Sequence, residues 1–377
     1  MPRRPAVSCL LLALLALLAC AEASGPAVRV HDRRLLIAGT EDGAIVVDLD
    51  WRGIIRRSGP RFLVQGPSAE NARGSVLSVG RLASEQLVMT GLDVESGLEL
   101  WRLALADGAT PVSVDGVQLG ATLMAVNPSR PEVFLSRAFQ NGVGGVAGFD
   151  YQRQRITRFF GPVSQRLRAV VGTPAAPGAH EGCLVLGLDS QIQGNTRGFL
   201  HRVCGSSYAA RDSVLLPLPS RTVLQMELTA DGQDLIVMTN LELLRYDAAT
   251  LALELRADRP QAAPFFQSGA TGRLIIPDVG SDIVASSGII YILDANLELA
   301  SIVDLRVLPF GERPLGILGA EESADRKWLY IVGGIRPDGP LYGPEKTHVV
   351  VVSQETGTVA DVVRLDTYGG GKPILVP

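Results

Sequence analysis

Two stretches decide the fold: LGILGAEESADRKWLYIV (residues 315–332) and HVVVVSQETGTVADVVRL (residues 348–365). Each contains two short runs rich in apolar residues, and each places a polar turn between them. Such runs are typical of β-strands, and Asp, Ser and Gly are typical of the tight turns that join strands. The two stretches therefore predict two hairpins, which give four strands in succession.

The same pattern recurs along the chain. Further hairpins are predicted in QLVMTGLDVESGLELWRLAL (residues 86–105), LIVMTNLELLRYDAATLALEL (residues 235–255) and MELTADGQDLIV (residues 226–237). Repeats of roughly 40 to 55 residues that contain four strands are the sequence signature of β-propeller blades. The sequence therefore predicts an all-β protein built from repeated four-stranded sheets.

Laid end to end, six units cover residues 61–108, 111–163, 166–220, 221–261, 262–312 and 313–367. A further unit begins at residue 33 and has three predicted strands but no innermost one. We expect Ile374–Val376 to supply that strand, because joining the two chain ends leaves no sheet edge open. This predicts a seven-bladed β-propeller over residues 33–377, closed by the C-terminal strand; six or eight blades also fit the spacing.

Some units resemble known propeller repeats. Pro314–Ile317, Asp325–Val332 and Ser353–Val359 resemble one repeat of the YVTN-type β-propeller family, which runs Pro-x-x-Ile, an Asp-Gly-Lys turn, Leu-Tyr-Val and a Thr-Gly turn. Asp93–Arg102 resembles the Trp-containing turn of quinoprotein-like blades. The resemblance implies an architecture and does not imply an activity.

The N-terminus has the features of an export signal. Arg3 and Arg4 precede the apolar run Leu10–Leu18, which is too short to span a bilayer, and small residues follow at Ala19 and Ala21. The sequence LLAC, residues 17–20, resembles a bacterial lipobox, in which the Cys is diacylated and becomes the first mature residue. This predicts a signal peptide at residues 1–19, lipidation of Cys20 and a tether over residues 20–32. Ordinary cleavage after Ala21 or Ala23, with Cys20 discarded, is the alternative, and it would release a soluble periplasmic or secreted protein.

Two acyl chains give stable membrane attachment where one would be marginal. Resemblance to lipoprotein sorting implies the outer membrane, since Ala21 stands where an Asp would retain a lipoprotein in the inner membrane. The protein would then face the periplasm or the cell surface.

Cys183 and Cys204 are the two cysteines outside the leader. They lie at the start and the end of two strand-like runs that could face each other on neighbouring antiparallel strands. An oxidising compartment makes them a candidate disulfide. Two buried free thiols are the alternative.

Composition argues against nucleic acid as a partner. The net charge is −4, and the arginine-dense stretches Arg33–Arg34, Arg52–Arg57 and Arg153–Arg158 lack interleaved aromatic residues. Nucleic-acid binding depends on clustered cations, and these stretches are interpreted as solvated blade edges instead.

No local motif predicts a catalytic, cofactor or metal site. His31, His180, His201 and His348 are scattered, and HExxH, GxSxG, CxxCH and P-loop patterns are missing from the sequence. Asp278 and Asp282 flank Gly280 in a segment that reads as an Asx turn, with a calcium-binding turn as the alternative. Turns are also predicted at Asp189, Asp231 and Asp325, and packing between blades is predicted for Trp51, Trp101 and Trp328.

The sequence thus favours a membrane-tethered, non-enzymatic propeller that binds a protein or ligand in the cell envelope. Catalytic and cofactor-binding residues stay unassigned, and we expect no cofactor. The alternative is a propeller enzyme, lactonase-like or quinoprotein dehydrogenase-like, with its site at the mouth of the channel. Acidic, Asn, Arg or His side chains gathered there would favour the enzyme.

Overall fold

A computed structural model describes residues 34–376 apart from the segments 71–74, 83, 85, 95–97, 108–109, 112, 115–116, 138–143, 164–165, 175–181, 193–194, 205–209, 259–264, 280–285, 307–314 and 336–345. The regular elements within these residues are all β-strands. In the part of the chain described here, no helix has the length and apolar character needed to cross a membrane. The predicted signal peptide, Cys20 and the tether lie outside the described residues.

The strands follow one another at short intervals, as the repeated hairpin pattern predicts. In chain order they are β1 (Arg34–Thr40), β2 (Gly43–Asp48), β3 (Gly53–Ser58), β4 (Phe62–Glu70), β5 (Ser75–Leu82), β6 (Leu87–Asp93), β7 (Glu99–Asp107), β8 (Thr110–Pro111), β9 (Ser113–Val114), β10 (Val117–Val126), β11 (Glu132–Arg137), β12 (Gly144–Asp150), β13 (Arg155–Val163), β14 (Arg166–Gly172), β15 (Cys183–Ile192), β16 (Asn195–Cys204), β17 (Ala210–Leu215), β18 (Val223–Leu228), β19 (Asp234–Thr239), β20 (Glu242–Asp247), β21 (Leu253–Asp258), β22 (Phe266–Gln267), β23 (Leu274–Val279), β24 (Ser286–Leu293), β25 (Leu299–Asp304), β26 (Leu315–Glu322), β27 (Trp328–Ile335), β28 (Thr347–Ser353), β29 (Thr358–Arg364) and β30 (Pro373–Val376).

These strands form seven antiparallel sheets. Six sheets consist of consecutive strands: β4 to β8, β9 to β13, β14 to β17, β18 to β21, β22 to β25 and β26 to β29. The remaining sheet has the order β3-β2-β1-β30 and so takes strands from both ends of the chain. Its register pairs Arg34 with Val376 and Leu36 with Ile374, the place where the sequence predicts the C-terminal strand.

The inner strands of successive sheets lie side by side. β4 contacts β1 and β10, β14 contacts β10 and β18, and β26 contacts β22 and β30. Between β18 and β22, the Gln225 side chain donates to the Phe265 carbonyl at 2.8 Å and accepts from the Phe265 amide at 3.0 Å. The sheets therefore meet along their innermost strands, which makes the fold a β-propeller.

Apolar side chains fill the space between neighbouring sheets. Ile275 and Val303 pack against Leu329 and Val350 of the following sheet, and all four are buried. This packing explains the sequence pattern, because each sheet has two faces and can hide them only against the sheets beside it.

The turn that precedes the outermost strand has the same construction in several sheets. A carboxylate at its start accepts a backbone N–H from a residue two or three positions later: Asp48 from Trp51 at 3.0 Å, Asp150 from Arg153 at 2.9 Å, Asp247 from Thr250 at 2.6 Å and Asp294 from Asn296 at 2.8 Å. A residue with positive φ follows in each case: Arg52, Gln154, Leu251 and Leu297. The recurring Asp residues of the sequence therefore define one repeated Asx turn.

Three sequence-based interpretations are wrong. Trp51 does not pack between blades, since its side chain is 83% exposed. Arg158 is not a solvated edge residue, because it is buried and ion-paired with buried Glu132. Asp189 lies within β15 and binds Arg168 at 2.5 Å, so it belongs to no turn. For Trp51 and Arg158 the local pattern identifies the turn or strand but not the direction of the side chain, whereas at Asp189 it predicts a turn where β15 continues.

Candidate functional site

Polar and ionisable side chains gather where the innermost strands of three sheets approach the C-terminal segment. We call Gln225, Glu227, Gln267, Glu321 and Lys372 the central cluster. Gln225 and Glu227 lie on β18, Gln267 ends β22, Glu321 is near the end of β26, and Lys372 directly precedes β30. The cluster thus joins residues that are far apart in sequence.

Glu321 is the best-anchored member of the central cluster. Its carboxylate is only 4% exposed and accepts from Lys372 Nζ at 2.9 Å and from the backbone amides of Gly269 and Glu322 at 3.0 Å each. The Ser268 hydroxyl donates to it as well. A buried carboxylate with this many donors is compensated for the loss of water, so Glu321 holds the β22–β23 turn, β26 and the C-terminal segment together.

Glu227 has the unusual acid–base property of the cluster. Burial raises the pKa of its carboxyl to about 7, against the pull of Lys372 and of hydrogen bonds from the Gln225 side chain and the Gln267 backbone, which lower it. Gln225 Nε2 donates to Glu227 Oε1 at 2.8 Å. A carboxyl with a pKa close to neutral exchanges its proton at physiological pH, which is the property that acid–base chemistry uses.

The cluster also contains an unused donor. Gln267 Nε2 is buried and has no hydrogen-bond partner among the described residues. A buried donor without a partner is costly, so Gln267 is the one member of the cluster with a buried, unsatisfied side-chain atom among the described residues.

Glu322, next to Glu321, serves a second contact between the same two sheets. It is fully buried and accepts from Gln354 Nε2 at 2.9 Å and from Arg273 at 3.4 Å, while the Thr271 hydroxyl also donates to it. These side chains are hydrogen-bonded to one another, so their role is to hold the two sheets together.

A separate cavity of about 770 Å³ lies at the β10–β11 and β12–β13 turns of the sheet β9 to β13. Its lining includes Arg130, Arg153, Arg155 and Glu132, and Glu132 is ion-paired with Arg158. Burial acts to raise the pKa of Glu132, but hydrogen bonds from Arg158, Thr157 and Asn127 lower it below its usual value. The carboxylate therefore stays ionised and holds Arg158 in place.

The predicted disulfide is confirmed. Cys183 and Cys204 are directly opposite each other on β15 and β16, with their Cα atoms 4.2 Å apart, and they are bonded. The alternative of two free thiols is wrong.

None of the other residues singled out from the sequence belongs to the central cluster. Asp278 lies on β23, and Asp282 is outside the described residues, so the calcium-turn alternative stays a prediction. Within the described part of the chain, no three His, Cys, Asp or Glu residues are grouped so as to hold a metal ion. His348 is buried on β28, and burial lowers its pKa. The turns predicted at Asp231 and Asp325 are present; Trp101 stacks on Tyr151 of the neighbouring sheet, and Trp328 is buried.

No local motif marked the central cluster. Glu227, Glu321 and Lys372 come from different repeats, and each occupies an ordinary strand or turn position. The one available signal was the position of Lys372 directly before the strand expected to join the first unit.

Comparison with known proteins gives a fold and no family. No protein-family model matches the chain, and no curated protein matches it. Among solved structures, the chain is similar to the dihydro-heme d1 dehydrogenase NirN in complex with DHE (TM-score 0.55, 10% identity, 91% of this chain and 75% of that chain). It is also similar to a functionally unknown protein from Desulfotomaculum acetoxidans DSM 771 (TM-score 0.52, 10% identity, 93% and 98%) and to the Dos1 propeller (TM-score 0.48, 9% identity, 90% and 81%). At these identities the similarity concerns the fold alone.

Proposed function

We propose that this chain is a lipid-anchored β-propeller of the cell envelope that binds a protein or ligand partner and performs no catalysis. The frame is a seven-bladed ring closed by β30, and the pairing of β30 with β1 supports this. Acylation of Cys20 tethers the ring to the outer membrane, and the lipobox-like sequence LLAC supports this. The resemblance to YVTN and quinoprotein-like repeats is consistent with such a scaffold.

One observation carries the scaffold role. The buried carboxylates where the innermost strands meet are occupied with joining sheets to one another, as the donors around Glu321 illustrate. Charges used in this way make the ring rigid, and a rigid ring presents its surface to a partner at little entropic cost.

The membrane anchor is tested with Cys20→Ser in the full chain. We expect this variant to move from the membrane fraction to the soluble fraction, because the acylated residue is lost. Cys9→Ser is the matched control, since it removes a cysteine from the same leader and leaves Cys20 in place. Unchanged membrane association of Cys20→Ser would refute the lipid anchor.

A propeller enzyme, lactonase-like or quinoprotein dehydrogenase-like, is the second candidate. The near-neutral pKa of Glu227 favours it, together with the open donor on Gln267. Turnover with a pH profile centred near the Glu227 pKa, abolished in Glu227→Gln while thermal stability is kept, would replace the scaffold role by this one.

A further inference from the structure

Trp51 stands apart from the other large apolar side chains of the described residues. At 83% it is the most exposed of them, followed by Leu218 at 59%. Its direction is set by the turn, because its backbone N–H donates to Asp48 Oδ1 at 3.0 Å and the next residue, Arg52, has φ of 55°. The indole is therefore held away from the protein.

The fold does not require Trp at this position. The equivalent positions of the other Asx turns, directly before the residue with positive φ, are occupied by Arg153, Thr250 and Asn296. In each turn the backbone N–H of this residue makes the same bond to the leading Asp. Polar residues thus build the turn equally well, so the exposed indole calls for an explanation outside the fold.

The position of the turn supplies an explanation for the exposed indole. β1 begins at Arg34, which is the register partner of Asp48, and Arg34 Nε lies 3.6 Å from Asp48 Oδ2. The chain that leads back to Cys20 therefore enters the propeller beside the Trp51 turn. Residues 20–33 span at most about 50 Å even when fully extended, so an acyl anchor on Cys20 keeps the start of β1, and the β2–β3 turn beside it, within that distance of the membrane.

The charges around the turn are largely matched. Arg52 pairs with Asp361 at 2.9 Å, Arg34 with Asp48, and Arg57 with Asp42 at 3.1 Å. A surface of this kind has little net attraction for anionic headgroups. The indole suits a lipid interface without them, because Trp places an apolar ring and one N–H donor at the headgroup level.

We propose that Trp51 inserts into the lipid interface of the membrane that holds acylated Cys20, so that the propeller is seated on that membrane by its β2–β3 turn. The inference rests on the proposed lipid anchor. It commits to lipid as the occupant, and we expect the contact not to require anionic lipid because Arg34, Arg52 and Arg57 are paired with carboxylates.

The test uses the full, lipidated chain on zwitterionic vesicles with lipids brominated near the headgroup. Trp51→Ala gives the background of partly buried Trp101 and buried Trp328, and the difference from wild type isolates Trp51. We expect the Trp51 emission to lose intensity and to shift to shorter wavelength. The matched control is the double variant Trp51→Ala/Thr250→Trp, which places the indole on the same turn of a different sheet and should show neither change.

The outcomes distinguish the membrane seating of Trp51 from the lipid anchor on Cys20. Protein that floats with the vesicles while Trp51 emission is unchanged overturns the seating, leaves the anchor standing and points to a protein occupant or none. Protein that does not float overturns both. Quenching of the indole at position 250 as strong as at Trp51 shows that no fixed face meets the membrane, which also overturns the seating.

Discussion

Two joints of this molecule are secured in opposite ways. In the sheet β14 to β17, a disulfide links Cys183 to Cys204 across neighbouring strands of one hairpin. In the sheet β3-β2-β1-β30, strands from the two ends of the chain pair without a covalent bond, and Lys372 is held by Glu321 of another sheet. A local joint can be closed by one bond formed early, whereas a joint between chain ends depends on the whole repeat having folded.

The difference has a physical consequence. Closing a short loop removes less entropy from the unfolded chain than closing a long one, and the bond adds to a pairing that is already local. Pairing β1 with β30 brings together residues separated by most of the chain, so its stability comes from burial and hydrogen bonds that form last. The covalent joint should respond to reductant, and the other joint to changes in packing and protonation.

The largest expected effect is at the joint between the chain ends. A variant that ends at Lys372 loses β30, including Val376, which is buried, and Ile374, which packs against the same cluster. Burial of such side chains contributes about 1.5–3 kcal/mol each, so we expect a loss of about 4 kcal/mol in the free energy of unfolding by urea titration. A variant that ends at Val376 keeps the strand and is the control. If the loss were no larger than the loss caused by removing the Cys183–Cys204 disulfide, the joint between the chain ends would contribute no more stability than the covalent joint.

Removing the disulfide should cause a smaller loss in the free energy of unfolding. Replacing both cysteines, Cys183→Ser and Cys204→Ser, opens a loop with a sequence separation of 21. We expect a loss of about 3 kcal/mol from the added freedom of the unfolded chain. Reductant should lower the unfolding midpoint of wild type toward that of the double variant and leave the variant unchanged. Equal midpoints of wild type with and without reductant would mean that the bond contributes nothing.

The repeat and the disulfide could be predicted from the sequence because their determinants are local. Alternating apolar runs define the strands, Asp48, Asp247 and Asp294 define the turns, and Cys183 and Cys204 terminate two runs that must be neighbours in a hairpin. In each of these the residues that interact lie within one repeat.

The central cluster could not be predicted for the opposite reason. Glu227 and Lys372 come together only because the innermost strands converge. The spacing of residues within one repeat does not predict a contact between different repeats. Trp51 and Arg158 show a second limit. Both lie where the pattern predicts a turn or a strand, yet Trp51 faces solvent and Arg158 is buried against Glu132 of another strand, and the pattern of a single run does not show either direction.

The smallest expected effect is a pH dependence of the free energy of unfolding at the joint between the chain ends. Glu227 lies near Lys372, beside the joint between the chain ends, and burial raises its pKa from 4.5 to about 7. Between these values the folded protein binds a proton that the unfolded chain does not. The stabilisation that is complete below pH 4.5 is therefore lost as the pH rises through about 7.

Glu227→Gln carries a neutral amide at every pH and should lack this dependence. Relative to that variant, we expect wild type to lose about 2 kcal/mol of stability between acidic and mildly alkaline pH, a value reduced for the partial exposure of Glu227. Glu355→Gln, on the exposed β28–β29 turn, should keep the wild-type dependence. The double cysteine variant should keep it too, because its joint has no part in the proton equilibrium. Parallel stability curves for wild type and Glu227→Gln would show that protonation of Glu227 is not coupled to folding, and the joint between the chain ends would then depend on packing alone.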